Sequence, residues 1–183
     1  PLKKPGAYQL RLSLRDTASE RIGSASQFID APDIKKKRLA LSGLIVRAQI
    51  PADLGAVAPM NTADGREQGN SQASAAVRQF KVGSVITYAY IIYNARLEKA
   101  SSRPQLTTQV KLFRDGKEIF TGKEIPFDSS GLPDLQRMAV AGALRLGTIM
   151  EPGEYVLQVI VTALLPDKKH RIATQWMDFQ IVK

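Results

Sequence analysis

The sequence lacks cysteine altogether and contains a single histidine, and both shortages remove whole classes of chemistry. Without cysteine there can be no disulfide, no thiolate nucleophile and no zinc–thiolate site. The absence of cysteine does not determine the cellular compartment. The histidine, His170, follows Asp167-Lys168-Lys169 and precedes Arg171 in a polar turn. A Ser-His-Asp site needs its histidine beside a serine in a shielded cleft, whereas a histidine among cations on a turn is typical of a solvated surface. We therefore predict no catalytic residue and no enzyme activity.

Long apolar runs are also missing. Hydrophobic residues make up 44% of the 183, which is enough for a packed core. No run approaches the roughly 20 residues that a membrane helix requires, so no membrane span is predicted. The chain starts at Pro1 with neither an initiator methionine nor a signal-peptide pattern. We expect it to be part of a longer protein whose targeting signal lies upstream.

The acidic residues form no pattern that would hold a metal or a sugar. They fall in turn-like and linker-like segments, where exposed carboxylates are the ordinary case. Asp64-Gly65 lacks the alternating acidic positions of a calcium loop, and no glycine-rich phosphate loop is present. The sequence predicts no cofactor and no metal site.

Positive charge is abundant but unevenly placed. The net charge is +9, and the first 50 residues carry +6 of it. Lys35, Lys36, Lys37 and Arg38, which we call the basic cluster, form the densest group. A solvated linker is the favoured interpretation. The alternative is contact with an anionic polymer, an acidic glycan or a nucleic acid, and a nucleic acid is disfavoured because no aromatic residues are interleaved.

Alternating apolar residues predict an N-terminal β-hairpin. Tyr8, Leu10, Leu12 and Leu14 share one face of a strand, and residues 24–29 return as a second strand. Residues 32–38, with Pro32 and the basic cluster, read as a linker. A main domain over 39–183 follows, with a long polar loop at about 51–76.

The main domain shows about seven short strands and no alternation of strands with helices. This pattern predicts an all-β fold, an immunoglobulin- or fibronectin-like antiparallel β-sandwich. Asp115-Gly116 predicts a tight hairpin turn, and residues 135–146 are read as a loop followed by a strand from about Val140 to Leu146. Tyr155 is either the tyrosine corner of such a domain or an ordinary core tyrosine. Trp176 and Phe179 fall on opposite faces of an alternating strand, and a pair buried in the core is favoured over an exposed partner contact.

One phrase occurs twice in the chain. Pro5-Gly6-Ala7-Tyr8 matches Pro152-Gly153-Glu154-Tyr155, the apolar alternation continues in both copies, and Gln27-Phe28 aligns with Gln175-Trp176 after one inserted residue. Because the second copy ends a domain, residues 1–31 are predicted to end a truncated upstream sandwich. Two similar hairpins within one domain remain the alternative.

Five phrases carry a family resemblance: Pro5-Gly6-Ala7-Tyr8, Ser24-Ala25-Ser26-Gln27-Phe28, Arg38-Leu39-Ala40-Leu41-Ser42-Gly43, Leu112-Phe113-Arg114-Asp115-Gly116-Lys117 and Glu151-Pro152-Gly153-Glu154-Tyr155-Val156-Leu157-Gln158-Val159. With them the chain resembles the C-terminal region of acidobacterial von Willebrand factor A-related proteins, a family of unknown function. The resemblance covers most of the chain outside residues 51–76. It implies part of a larger bacterial protein in the cell envelope, the periplasm or the medium.

The resemblance brings no catalytic residue with it. The A domain binds metal through an Asp-x-Ser-x-Ser loop, and Asp128-Ser129-Ser130-Gly131 has the wrong spacing. We therefore expect a non-catalytic structural or protein-interaction module, partnered by upstream domains of its own chain and by another envelope protein or an acidic polymer.

Overall fold

The computed structural model describes residues 4–48, 77–165 and 171–183, and within them the regular structure is β apart from one short 3-10 turn at Ile34–Lys36. The predicted loop at about 51–76 lies outside the described residues, and His170 lies outside them too. The strands are β1 (Gly6–Arg15), β2 (Ile22–Ala31), β3 (Ala40–Leu41), β4 (Ile45–Ala48), β5 (Gln79–Lys81), β6 (Val85–Tyr93), β7 (Leu106–Arg114), β8 (Lys117–Thr121), β9 (Ile125–Pro126), β10 (Arg137–Arg145), β11 (Gly153–Ala163) and β12 (Ile172–Val182).

Two sheets form the main body. The first has the order β10-β6-β3, with β4 also paired to β6, and the second has the order β5-β12-β11-β7-β8, with β9 also paired to β7. The pairings are antiparallel except for β5, which runs parallel to β12. Apolar residues of both sheets share the same buried clusters, so the sheets pack face to face. The predicted all-β sandwich is confirmed.

Strand β11 shows how alternation builds the core. Tyr155, Leu157, Val159 and Val161 point inward and are almost completely buried, while the residues between them are partly exposed. They join clusters that include Ile86 and Ile92 of β6 on the opposite sheet. Each fully buried side chain of this size stabilises the fold by about 1.5–3 kcal/mol. This layer is a major source of stability in the sandwich.

The turn between β7 and β8 has the predicted chemistry. Asp115 and Gly116 both have positive φ angles, +51° and +74°. A type I′ turn requires positive φ at both central residues, and Asp-Gly accepts it at low cost. The predicted hairpin turn is confirmed.

Two segments of the chain each form a pair of short strands with a break between them. Strands β3 and β4 are separated around Ser42, whose hydroxyl accepts the N–H of Ile91 in β6 at 2.9 Å. Strands β8 and β9 are separated around Gly122, whose N–H still donates to the Val110 carbonyl in β7 at 2.8 Å.

Residues 135–146 resolve into a loop and strand β10. The strand starts at Arg137, three residues before the predicted start at Val140. Gly142, in the middle of β10, lies directly opposite Tyr88 of β6. A side chain at Gly142 would collide with the Tyr88 ring, so the glycine makes room for the aromatic residue that crosses β10.

Tyr155 has the geometry of a tyrosine corner and is also a core residue. Its hydroxyl donates to the carbonyl oxygen of Glu151, four residues upstream, at 2.7 Å. Its buried ring stacks on Phe179 at a centroid distance of 5.8 Å. The Arg114 guanidinium lies 5.6 Å from the same ring centroid. The two interpretations of the sequence therefore both describe this residue.

The prediction that Trp176 and Phe179 form a core pair is wrong. Phe179 is 2% exposed, whereas Trp176 is 57% exposed on the outer face of β12. Strict alternation along β12, with no bulge against β11, sends the two rings in opposite directions.

Candidate interaction surfaces

The basic cluster lies on an exposed connection between the hairpin and the sandwich. Asp33 organises its first turn by accepting the Lys35 N–H at 3.2 Å and by pairing with the Lys36 ammonium at 3.3 Å. The side-chain amide of Asn94 donates to the Ile34 carbonyl at 2.8 Å, which fastens this connection to the end of β6. The described part of the linker thus has a defined path along the sandwich.

Lys37 and Arg38 line a concavity of about 380 Å³ together with Arg96. Asn94 and Gln136 line the same concavity. Two arginines and a lysine on one concave surface suit a carboxylate, a sulfate or a phosphate, because charge-assisted hydrogen bonds to such anions are strong. Lys35 and Lys36 are exposed but do not line this concavity.

Sequence reasoning found Lys37 and Arg38 but missed Arg96. The structure unites them because Ala40, just after the basic cluster, pairs with Tyr93 at the end of β6, and Arg96 lies three residues farther on. The sequence around Arg96 does not predict that this residue lies near Lys37 and Arg38. Only the pairing of β3 with β6 produces it.

Two of the described carboxylates, Asp128 and Asp16, hold turns in place. Asp128 accepts the backbone N–H of Ser130 at 2.8 Å, and the Ser130 hydroxyl and this N–H hold the pKa of Asp128 below its ordinary value. Asp16 behaves in the same way toward Ser19 and Ala18 in the β1–β2 turn. Over residues 4–48, 77–165 and 171–183, no group of three or more histidine, cysteine or acidic residues is arranged to hold a metal ion.

The β1–β2 hairpin exposes an apolar face. Leu10, Leu12 and Leu14 are 58%, 62% and 68% exposed, and they share this face with Tyr8 and Ile29. A contiguous apolar patch on a protein surface marks a contact with another protein surface. We refer to these five residues as the leucine face.

One arginine connects the hairpin to the sandwich. The Arg78 guanidinium donates to the side-chain oxygen of Gln27 in β2 at 2.9 Å. It also reaches the carboxylate of Asp178 in β12 at 3.3 Å and its backbone carbonyl at 3.2 Å. Arg78 therefore bridges the two parts of the molecule.

Comparison with known proteins gives no family assignment. No family model matches the chain, and no curated protein matches it. Among solved structures, it is similar to a superoxide reductase (neelaredoxin) from Ignicoccus hospitalis, with 12% identity over 82% of this chain and 88% of that chain and a TM-score of 0.43. A variant form of the same reductase gives 12% identity, 82% and 87% coverage and a TM-score of 0.41.

A third likeness is to a protein from Bacteroides vulgatus described as a candidate bacterial DNA-binding protein. It shows 10% identity over 99% of this chain and 71% of that chain, with a TM-score of 0.29. At these scores none of the three structures carries an argument about what this chain does. The described residues contain no helix with the length and apolar character needed to cross a bilayer.

Proposed function

We propose that this chain is a non-catalytic β-sandwich module of a larger exported bacterial protein, with a structural or protein-interaction role. The leucine face carries the proposal. It belongs to the two-stranded β1–β2 sheet and leaves three large apolar side chains exposed to water, while the attached sandwich has a buried core of its own. An isolated two-stranded hairpin is marginal in water, so this sheet is built to pack against something else.

The strand order supports an immunoglobulin-like interpretation of the sandwich. Lettered in the immunoglobulin manner, β3, β6 and β10 correspond to strands A, B and E, and β7, β11 and β12 correspond to C, F and G. The β8–β9 segment stays beside β7 instead of joining the first sheet. Many cell-surface domains use this architecture.

Fractionation of cells that produce the full-length gene product tests the exported location. We expect the protein in the envelope, the periplasm or the medium, beside a known periplasmic marker. A product that stays entirely with a cytoplasmic marker would contradict the proposal. The resemblance to von Willebrand factor A-related proteins supports the same location.

The non-catalytic part of the proposal has its own test. A panel of hydrolase and oxidoreductase substrates is expected to show no turnover above buffer with the purified chain. Turnover that follows the protein through every purification step would overturn the proposal.

An anion-binding role for the basic cluster is the second candidate, and the concavity at Lys37, Arg38 and Arg96 favours it. The partner would be an acidic glycan or another acidic polymer. Lysine and arginine contacts to a polyanion release counterions, so retention should weaken steeply as salt rises.

Heparin chromatography separates a specific site from general positive charge. Lys37→Gln/Arg38→Gln is expected to elute at clearly lower salt than the parent chain. Lys117→Gln/Lys123→Gln removes the same charge at the β8 end and is expected to elute close to the parent. Equal shifts for the two pairs would show that net charge alone holds the chain on the column, and the site would be rejected.

A further inference from the structure

The two copies of the repeated phrase adopt the same local structure. Gly6 and Gly153 have positive φ angles of +139° and +150°, and each opens a long strand. The hydroxyl of Tyr8 donates to the carbonyl of Lys4, four residues upstream, at 2.5 Å. Tyr155 makes the equivalent bond to Glu151 at 2.7 Å. The hairpin therefore carries its own tyrosine corner, a feature of the point where a strand enters a complete sandwich.

Cross-strand pairing also matches at the tyrosines. Tyr8 lies opposite Ile29, and Tyr155 lies opposite Phe179. The separations along the chain are 21 and 24 residues, so the second copy has three extra residues in its turn. The sequence alignment of the closing strands, which assumed one inserted residue, is therefore wrong by two positions. A two-residue shift keeps every side chain on the same face, so the apolar faces still correspond.

Burial is where the copies differ. Leu10, Leu12 and Leu14 correspond to Leu157, Val159 and Val161, which are 0%, 1% and 0% exposed. In the second copy these positions are covered by the sheet of β3, β4, β6 and β10, through residues such as Val46 and Met138. In the first copy, no described residue covers the leucines to that degree.

From this we infer that the β1–β2 hairpin is the closing strand pair of a second sandwich, and that its leucine face is covered by an apolar β-sheet of the polypeptide preceding Pro1. The inference rests on the proposed role as a module of a larger protein. Chain order identifies the occupant. In the complete copy, all four covering strands precede the closing pair, between residues 40 and 145. The strands that follow the hairpin are already committed to the sandwich of the second copy.

Thiol labelling in a chain extended upstream by about one sandwich domain, roughly 100 residues, tests the inference. The 183 residues contain no cysteine, so Leu12→Cys reports on the leucine face and Ser13→Cys, on the other face of β1, is the matched control. In residues 1–183 alone, both thiols should react rapidly. In the extended chain, we expect Leu12→Cys to react at least about tenfold more slowly, equivalent to 1.4 kcal/mol, while Ser13→Cys remains rapid. The extended chain without either substitution supplies the background.

Hydrogen exchange on the unsubstituted extended chain guards against a variant that fails to fold. Amides of β1 should be protected to the level of the amides of β11. Rapid labelling of Leu12→Cys in a folded extended chain would overturn the inference. So would protection that appears in residues 1–183 alone and rises with protein concentration, because a second copy would then be the occupant. The two claims can fail separately. If the protein is exported and the thiol of Leu12→Cys reacts rapidly, the proposed function stands and the inference fails. If the protein is cytoplasmic and the thiol is protected, the inference stands and the proposed function fails.

Discussion

The hairpins β1–β2 and β11–β12 have similar sequences and local structures but differ in how much of their apolar faces is buried. Both begin with Pro-Gly-x-Tyr, both alternate apolar and polar residues, and both pair in the same register at the tyrosine. One buries its apolar face almost completely and the other leaves it in water. The comparison separates the local requirements of a strand pair from the tertiary requirement of an opposing sheet. Alternation and turn chemistry suffice to define the pair, whereas its stability depends on what lies across the core.

Truncating matched leucines should give the largest contrast. Leu157→Ala is expected to lower the free energy of unfolding of residues 1–183 by about 2–5 kcal/mol, because it removes buried methyl groups and leaves a cavity. Leu10→Ala should change it by no more than about 0.5 kcal/mol, as expected for an exposed site. Urea denaturation followed by tryptophan fluorescence measures both. Equal losses would mean that the hairpin leucines are already covered in this chain.

Replacing the glycines that open β1 and β11 should give a smaller contrast. We expect Gly153→Ala to lower global stability and Gly6→Ala to affect only the local stability of β1. Gly153→Ala forces a side chain into a backbone conformation that suits glycine, and we expect a loss of about 1–3 kcal/mol in global stability. The methyl group itself has room at both positions, so the strain is in the backbone. Gly6→Ala should instead accelerate hydrogen exchange in β1 and leave the global transition in place. A shift of that transition by Gly6→Ala would show that the hairpin and the sandwich unfold as one unit.

Removing the tyrosine hydroxyls should have a still smaller effect. Tyr155→Phe deletes a hydrogen bond in a mostly buried setting and is expected to cost about 0.5–1.5 kcal/mol in thermal or urea unfolding. Tyr8→Phe deletes the equivalent bond at an exposed site and should leave global stability unchanged. In the upstream-extended chain, Tyr8→Phe should become costly. If Tyr8→Phe already lowers the stability of residues 1–183, the two corners are equivalent without any added sheet.

The smallest effect is the pH response of the hairpin turn. The Ser19 hydroxyl and the Ala18 N–H both bond the Asp16 carboxylate and lower its pKa from the ordinary value of 3.8. Since the folded pKa is lowered, these bonds stabilise the turn above the ordinary pKa, and the stabilisation disappears as pH falls through the lowered value. An NMR titration should show Ser19→Ala moving the Asp16 pKa back toward 3.8. An unchanged pKa in Ser19→Ala would mean that the turn is not formed as described.

The order of strands was predictable wherever the local pattern was strong. Strands β1 and β11 could be predicted from the alternation of apolar and polar residues, and the Asp115-Gly116 turn from its residue types. The breaks at Ser42 and Gly122 were not predictable. Each depends on a hydrogen bond to a neighbouring strand, to β6 for Ser42 and to β7 for Gly122, and the local sequence does not identify that neighbour. For the same reason, Lys37 and Arg38 could be named in advance and Arg96 could not.

The exposed Trp176 shows the same limit. Alternation predicted that Trp176 and Phe179 face opposite ways, but not which ring enters the core. That choice follows from the register of β12 against β11, where Phe179 lies opposite the buried Tyr155. Register is a property of two strands, and neither strand specifies it alone.

The amino-acid sequence by itself determined the strands, their tight turns and the doubled tyrosine phrase, because these depend on side-chain alternation and backbone preferences within a few residues. The tertiary structure alone decided which apolar faces are buried, which cations share a concavity, and that Arg78 bridges the hairpin and β12. The reason is physical: burial and charge clustering depend on elements far apart in the chain, and only folding brings them into contact.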